Sequence, residues 1–191
     1  MLLVRHGPVD AEPARCWGWT DVALAPSAEL DARLAALPVA EGALVVSSDL
    51  QRARSTAERL VALHPGTRLG RAQFALRELH FGRWEGLRWE EIERREPEAY
   101  AAYMERWRDM PCPGGESWIA LRDRCARWLE SAPPEPLVVV AHQGSLRALW
   151  ALLAPEARAL RDAARDQEAM RRRWAYGEGH RVPRDRPRSD R

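Results

Sequence analysis

The sequence predicts an α/β fold: a three-layer α/β/α sandwich with a mainly parallel central sheet and a small helical lid insertion. Three observations predict it. Apolar runs open the chain at Leu2-Leu3-Val4 and recur at Ala43-Leu44-Val45-Val46 and Leu137-Val138-Val139-Val140-Ala141. The second and third lead through a short polar turn into a helical pattern. A helix-rich stretch of modest length, Gly86 to Pro113, then separates the second unit from the third. Unbroken apolar strands alternating with helices belong to parallel sheets covered on both faces.

The first run stops at Arg5-His6-Gly7, followed by Pro8, which cannot donate to a strand ladder. The second passes through Ser47-Ser48-Asp49 into QRARSTAERLVAL, where Ala53, Ala57, Leu60 and Val61 fall at helical spacing. LRELHFGRWEGL, residues 76–87, is turn-prone and carries Glu78 before Gly82 and Gly86. Residues 87–112 read as one or two helices forming a lid, with Trp84, Trp89, Tyr100, Tyr103 and Trp107 in and beside it. Arg94, Arg95, Arg106 and Arg108 alternate there with Glu90, Glu91, Glu93 and Glu105, as on a solvated helix face. The third strand leads through His142-Gln143-Gly144 into SLRALWALL, a further helix. A charged helix ending near Gly177 closes a domain of residues 1–176, and the Arg- and Pro-rich residues 177–191 read as a disordered tail with no convincing strand. His64 and His180 lie outside every motif and read as surface residues.

At 191 residues the chain is long enough for one domain with a substantial core. Hydrophobic residues at 46% and charged residues at 30% give a soluble globular balance. No apolar run approaches the roughly 18 residues of a membrane span, and Arg5 and Asp10 interrupt the N-terminal stretch too early for a signal peptide. A cytoplasmic protein is expected. All 30 basic residues are arginine, yet the formal net charge is only +2, so no whole-molecule field points to nucleic acid. Cys16, Cys112 and Cys125 are widely spaced and odd in number, which fits reduced thiols better than a disulfide or zinc framework.

Ligands of open α/β sheets bind outside the carboxyl ends of the strands. That rim would hold Arg5 with His6, Ser48 with Arg52, and His142. Arg52 also lies near the start of its helix, where free N–H groups and the macrodipole favour an anion. Such a gathering of cations calls for a negative ligand, and a phosphoryl group suits it. Beside these groups, Glu78 reads as a proton donor.

The segments LLVRHGPVD, SSDLQRARSTAE, LRELHFGRWEG, CPGGES and VVVAHQGSLRAL, in that order, resemble the histidine phosphatase superfamily, which includes the cofactor-dependent phosphoglycerate mutases. The resemblance runs from Leu2 to about Leu153. It implies that His6 carries the phosphoryl group, that Arg5, Arg52 and His142 surround it, and that Glu78 is the general acid. It implies substrate contacts from Gly7, Arg15, Ser48, Gln143 and Gly144, and neither metal nor cofactor. Imidazole attacks phosphorus when neutral, fixed cations stabilise charge spread over three oxygens, and a carboxylic acid protonates the leaving alkoxide.

Three departures stand out. The family commonly places Glu-Thr or Gln-Ser after Arg-His-Gly, where this chain has Pro8-Val9 and no hydroxyl. A phosphate-touching asparagine is replaced by the stretch Ala11-Glu12-Pro13. Gln143 intervenes between the second histidine and Gly144. The short Gly86–Pro113 interval lacks the insertion of a mutase, so hydrolysis of a small phosphomonoester is expected. GWTDVALA, RELHFGRWEG and CPGGES look most like α-ribazole-5′-phosphate phosphatases of cobalamin assembly. A mutase-like phosphoryl transferase and a broad-specificity phosphatase are the alternatives. A non-enzymatic polyanion binder using Arg171-Arg172-Arg173, and a metal hydrolase ligated by His6 and His142, fit less well. Oligomeric state is left open.

Overall fold

The computed structural model describes residues 1–183. Five strands form one sheet in the order β3-β2-β4-β1-β5. They are β1 (Leu2–Arg5), β2 (Leu44–Ser47), β3 (Arg68–Leu69), β4 (Leu137–Ala141) and β5 (Gly179–Arg181). All neighbours pair in parallel except β5, which runs antiparallel to β1 with Leu3 opposite His180.

Each central strand divides its side chains between two cores, as the period of two requires. Leu2, Val4, Val45, Val138 and Val140 pack against Leu30 and Leu34 of α1 (Ala28–Ala35) and Ala53, Ala57 and Leu60 of α2 (Gln51–Leu63). Leu3, Val46, Leu137, Val139 and Ala141 face the other way. There they meet Leu121 and Cys125 of α5 (Trp118–Ser131), and Leu146 and Leu149 of α6 (Gln143–Leu153). The unbroken apolar strands are thus explained by burial on both faces, and the architecture is the three-layer sandwich expected.

Two short helices, α3 (Trp89–Arg95) and α4 (Pro97–Arg106), fill the lid region and are separated at Glu96, before the proline that opens α4. Their arginines are not all solvated. Arg106 pairs with Asp109 and Arg95 with Glu91, but Arg108, just past α4, reaches the fully buried Asp166. Trp84 is buried and meets Tyr103 edge-on, a packing role.

The C-terminal region departs from expectation. The charged stretch is two helices, α7 (Pro155–Arg158) and α8 (Asp162–Arg171), and it stops at Arg171 rather than near Gly177. Residues 172–178 instead run across the carboxyl end of β1, and β5 lies inside the stretch read as a disordered tail. Side chains from elsewhere satisfy the backbone there in place of helical bonds: Gln143 and Arg147 donate to the Arg172 carbonyl, and Arg5 donates to that of Trp174. Residues 184–191 of the predicted tail lie outside the described residues.

Candidate active site

Adjacent strands β1 and β4 send the chain to opposite faces, β1 toward α1 and β4 directly into α6. A crevice opens where neighbouring strands diverge in this way. His6 and His142 follow those two strands. The His6 N–H donates to Ala141 O at 3.0 Å, and the two imidazole centroids lie 4.9 Å apart.

Each ring has a defined proton. His6 Nδ1 is 2.6 Å from Gly7 O. A carbonyl only accepts, so Nδ1 carries the hydrogen and Nε2 keeps its lone pair. His142 Nδ1 accepts from Arg52 Nε at 3.2 Å, which places the proton of the neutral ring on Nε2, a buried nitrogen without a partner among the described residues. Burial, reinforced by the positive charge of Arg52, holds both histidines well below their ordinary pKa; the hydrogen bond to Gly7 only partly offsets this at His6.

Arg52, in the first turn of α2, is only 2% exposed. It donates to Thr20 O at 2.8 Å and Gly18 O at 2.7 Å. That loop is itself held by Glu85, whose carboxylate accepts from the N–H groups of Trp19, Thr20 and Phe81 and from the Thr20 hydroxyl. Gly18 fits because a Cβ there would stand 2.1 Å from Glu85 Oε1. Arg5 donates to Trp174 O at 2.7 Å, and its guanidinium lies 4.1 Å from the Tyr176 ring centroid. Neither Arg5 nor Arg52 has a carboxylate partner in salt-bridge range among the described residues.

Glu78 enters the crevice from the opposite side of the sequence. Its Oε1 accepts from Leu79 N and Gly144 N, both at 2.9 Å. A Cβ on Gly144 would lie 2.1 Å from the same oxygen, so the glycine admits the carboxylate. Behind Glu78, the buried Arg124 donates to the Glu78 carbonyl and grips both oxygens of Glu116, while Glu116 accepts from the His80 N–H. The CPGGES segment is therefore a clamp on the Glu78 loop: Gly115 lets it pass against His80 O, where a Cβ would sit at 2.2 Å.

Arg5, His6, Arg52 and Glu78 open onto one cavity of about 300 Å³, with His142 directly behind His6. Arg15, Gln143 and Gly144 also line it. Their free capacity is small, however. Arg15 is paired with Glu12 and Glu91, and the Gln143 amide donates to Arg172 O and accepts from Trp174 N. Two expected contacts are absent from the cavity wall. Ser48 is fully buried with its hydroxyl accepting from Leu50 N, since the strand alternation turns it inward. Gly7 gives its N–H to Thr56 and its open face to Leu30 and Leu24. Gly7 is a packing position. His64 and His180 are half-buried, bonded to Leu34 O and Glu178, and outside the cavity.

The sequence reading misses two polar wall residues, Arg147 and Tyr176. Arg147 is findable, lying four residues beyond Gln143 and hence on the same helix face. Tyr176 carries no local signal; the fold alone brings it to the site. Trp17, Phe81, Trp89, Trp107 and Trp118 complete an aromatic wall. Among the described residues, no group of three or more His, Cys, Asp or Glu side chains is placed to hold a metal ion.

A lone-pair nitrogen enclosed by fixed, unneutralised guanidinium groups is built to receive an electrophile that is also an anion. The class this defines is a phosphoryl-handling α/β enzyme. Residues 1–180 match the family described as "Histidine phosphatase superfamily (branch 1)". The chain belongs to that superfamily and is a phosphatase. It is similar to phosphoglycerate mutase-like protein 4 of Arabidopsis thaliana, at 34% identity over 167 residues, covering 83% of this chain and 72% of that one. It is also similar to glucosyl-3-phosphoglycerate phosphatase of Mycobacterium tuberculosis, at 36% over 171 residues, covering 80% and 74%. Among solved structures, a candidate α-ribazole-5′-P phosphatase of Escherichia coli superposes with a TM-score of 0.69 at 26% identity, covering 81% and 78%.

Proposed function

We propose that the protein hydrolyses phosphomonoesters in two steps through a phosphohistidine on His6, without a metal. The protonation pattern of the histidine pair carries this reading: His6 Nε2 is bare and His142 Nε2–H is an unpaired buried donor. His6 Nε2 attacks phosphorus, the N–P bond forms and the P–O bond to the alcohol breaks. His142 Nε2–H, Arg5 and Arg52 face the phosphoryl oxygens. Glu78, as general acid, gives a proton to the leaving alkoxide. The resulting carboxylate then takes a proton from water, which attacks phosphorus, breaks the N–P bond and releases inorganic phosphate.

The substrate we propose is a small phosphomonoester with an aromatic portion, of which α-ribazole-5′-phosphate is an example. Trp17, Trp89 and Trp107 line the cavity while remaining partly exposed, as stacking surfaces for such a group would be. The likeness to the E. coli structure points the same way. A sugar-phosphate or phosphoserine substrate is the second reading. The phosphoglycerate mutase alternative is disfavoured by the short Gly86–Pro113 interval, which lacks the long insertion of a mutase. Three unpaired thiols favour a reducing compartment, and we place the enzyme in the cytoplasm.

The test has two arms. Labelled phosphomonoester quenched in alkali should yield acid-labile phosphohistidine on the wild type and none on His6→Ala, with turnover down at least about 10³-fold. Turnover by His6→Ala at the wild-type rate sinks the mechanism. A panel of α-ribazole phosphate, phosphoserine and phosphoglycerates should rank the first highest by kcat/KM.

A further inference from the structure

We propose that Tyr176 is a phosphoryl-binding residue, its hydroxyl supplying the hydrogen bond that Pro8 and Val9 cannot. The inference rests on the phosphatase reading of the cavity and extends it to a residue from the far end of the described chain.

The positions after Gly7 offer no side-chain hydrogen-bond donor to a ligand. Pro8 has neither an N–H nor a hydroxyl, and the side chain of Val9, a cavity-lining residue, is a hydrocarbon. Tyr176 lines that same cavity. Its ring centroid stands 5.6 Å from that of His6 and 4.1 Å from the Arg5 guanidinium, and it falls within Coulombic reach of Arg52. The residue therefore stands beside His6, which would carry the phosphoryl group, and near Arg5 and Arg52, two of the groups expected to surround its oxygens. Its hydroxyl makes no hydrogen bond to any described residue, whereas its backbone is firmly held. The Tyr176 carbonyl accepts from Arg33, Gly177 N donates to Arg5 O, and Arg5 N donates to Glu178 O. A phenol positioned by its backbone and left unpaired beside two cations is a donor waiting for an acceptor. A phosphoryl oxygen is the acceptor that this cavity otherwise selects.

The competing explanation is that the ring only packs on Arg5, a cation–π contact that needs no hydroxyl. Tyr176→Phe separates the two, because it keeps the ring and removes the donor. Binding of inorganic phosphate, followed by calorimetry, should weaken about tenfold or more in Tyr176→Phe, the usual cost of a hydrogen bond to a charged group. Thermal unfolding should be unchanged and the kcat/KM for a phosphomonoester should fall by a similar factor. Tyr176→Leu, which also removes the ring, should lose more. Wild-type phosphate affinity in Tyr176→Phe overturns the proposal, even with Tyr176→Leu impaired, and leaves the phosphatase reading intact. A wild-type protein that binds phosphate but neither hydrolyses phosphomonoesters nor forms phosphohistidine overturns that reading, and the Phe variant still decides the role of Tyr176.

Discussion

His6 and His142 illustrate how one residue type takes two forms from its immediate partners. The Gly7 carbonyl fixes one tautomer and the Arg52 guanidinium fixes the other, so a ring with a bare Nε2 and a ring with an Nε2–H stand side by side, both neutral. The arrangement costs stability in acid. Unfolded histidine takes up a proton as pH falls through about 6.5, while these two resist it to well below that value. Their burial is thus fully tolerated above about pH 6.5, and stability is lost as the pH drops toward their folded pKa. Each contributes a slope of about 1.4 kcal/mol per pH unit in that interval. Urea unfolding of wild type and His6→Ala between pH 7.5 and 5 should show a shallower acid loss in the variant, by about one proton's worth. Parallel curves would refute the assignment. At this scale the sequence is informative where chemistry is unusual: Arg5, His6 and His142 stand out because polar residues end apolar strands, Arg52 because it opens the helix after one, and Glu78 only beside those groups. Ser48 lies off the cavity wall because strand-end position alone does not say which way a side chain turns, and Gly7 lies off it because its N–H is taken by Thr56 and its open face by Leu30 and Leu24.

Among the connecting elements, the loops are more tightly specified than the helices. Glu85 organises the Gly18–Thr20 loop, which in turn fixes Arg52, and the Glu116–Arg124 pair fixes the Glu78 loop. Gly18, Gly82 and Gly115 each admit a neighbouring segment at a distance that a Cβ would block, while Gly86 and Gly114 turn the chain with positive φ, so the FGRWEG and CPGGES patterns report loop-to-loop clamps. They read from the sequence as family marks without a mechanism, since both clamps span distant segments. Glu85→Ala should leave three backbone N–H groups without their acceptor, costing about 2–3 kcal/mol in urea unfolding. It should also release Arg52 and lower kcat/KM about tenfold or more. A variant with wild-type stability and activity would show that the loop holds Arg52 unaided. The strand β5 is the opposite case. Gly-His-Arg has no apolar run to announce it, and its pairing with β1 uses backbone alone.

Seen whole, the molecule gathers Arg5, His6, Arg52, Glu78 and His142 at one divergence of the sheet, so the fold class and the place of this cluster are read from the same pattern. Alternating strand and helix patterns imply the parallel sheet, and a parallel sheet implies where its ligand lies. What composition and periodicity do not reveal is the path of residues 172–178, because that path is set by side chains of β1 and α6 reaching across to it.

That crossing has a consequence in time. Arg5 lies on the first strand, yet the Trp174 carbonyl that steadies it lies 169 residues further along the chain, and the β5 strand that seals its edge lies beyond that. Closing so long a loop is a late and slow event in a folding chain. A chain in which that loop is still open therefore holds Arg5 without its hydrogen bond to the Trp174 carbonyl. On dilution from urea, far-UV circular dichroism should recover before phosphatase activity does. Simultaneous recovery of both signals would show that the last segment docks with the rest, and that the enzyme has no such period of latency.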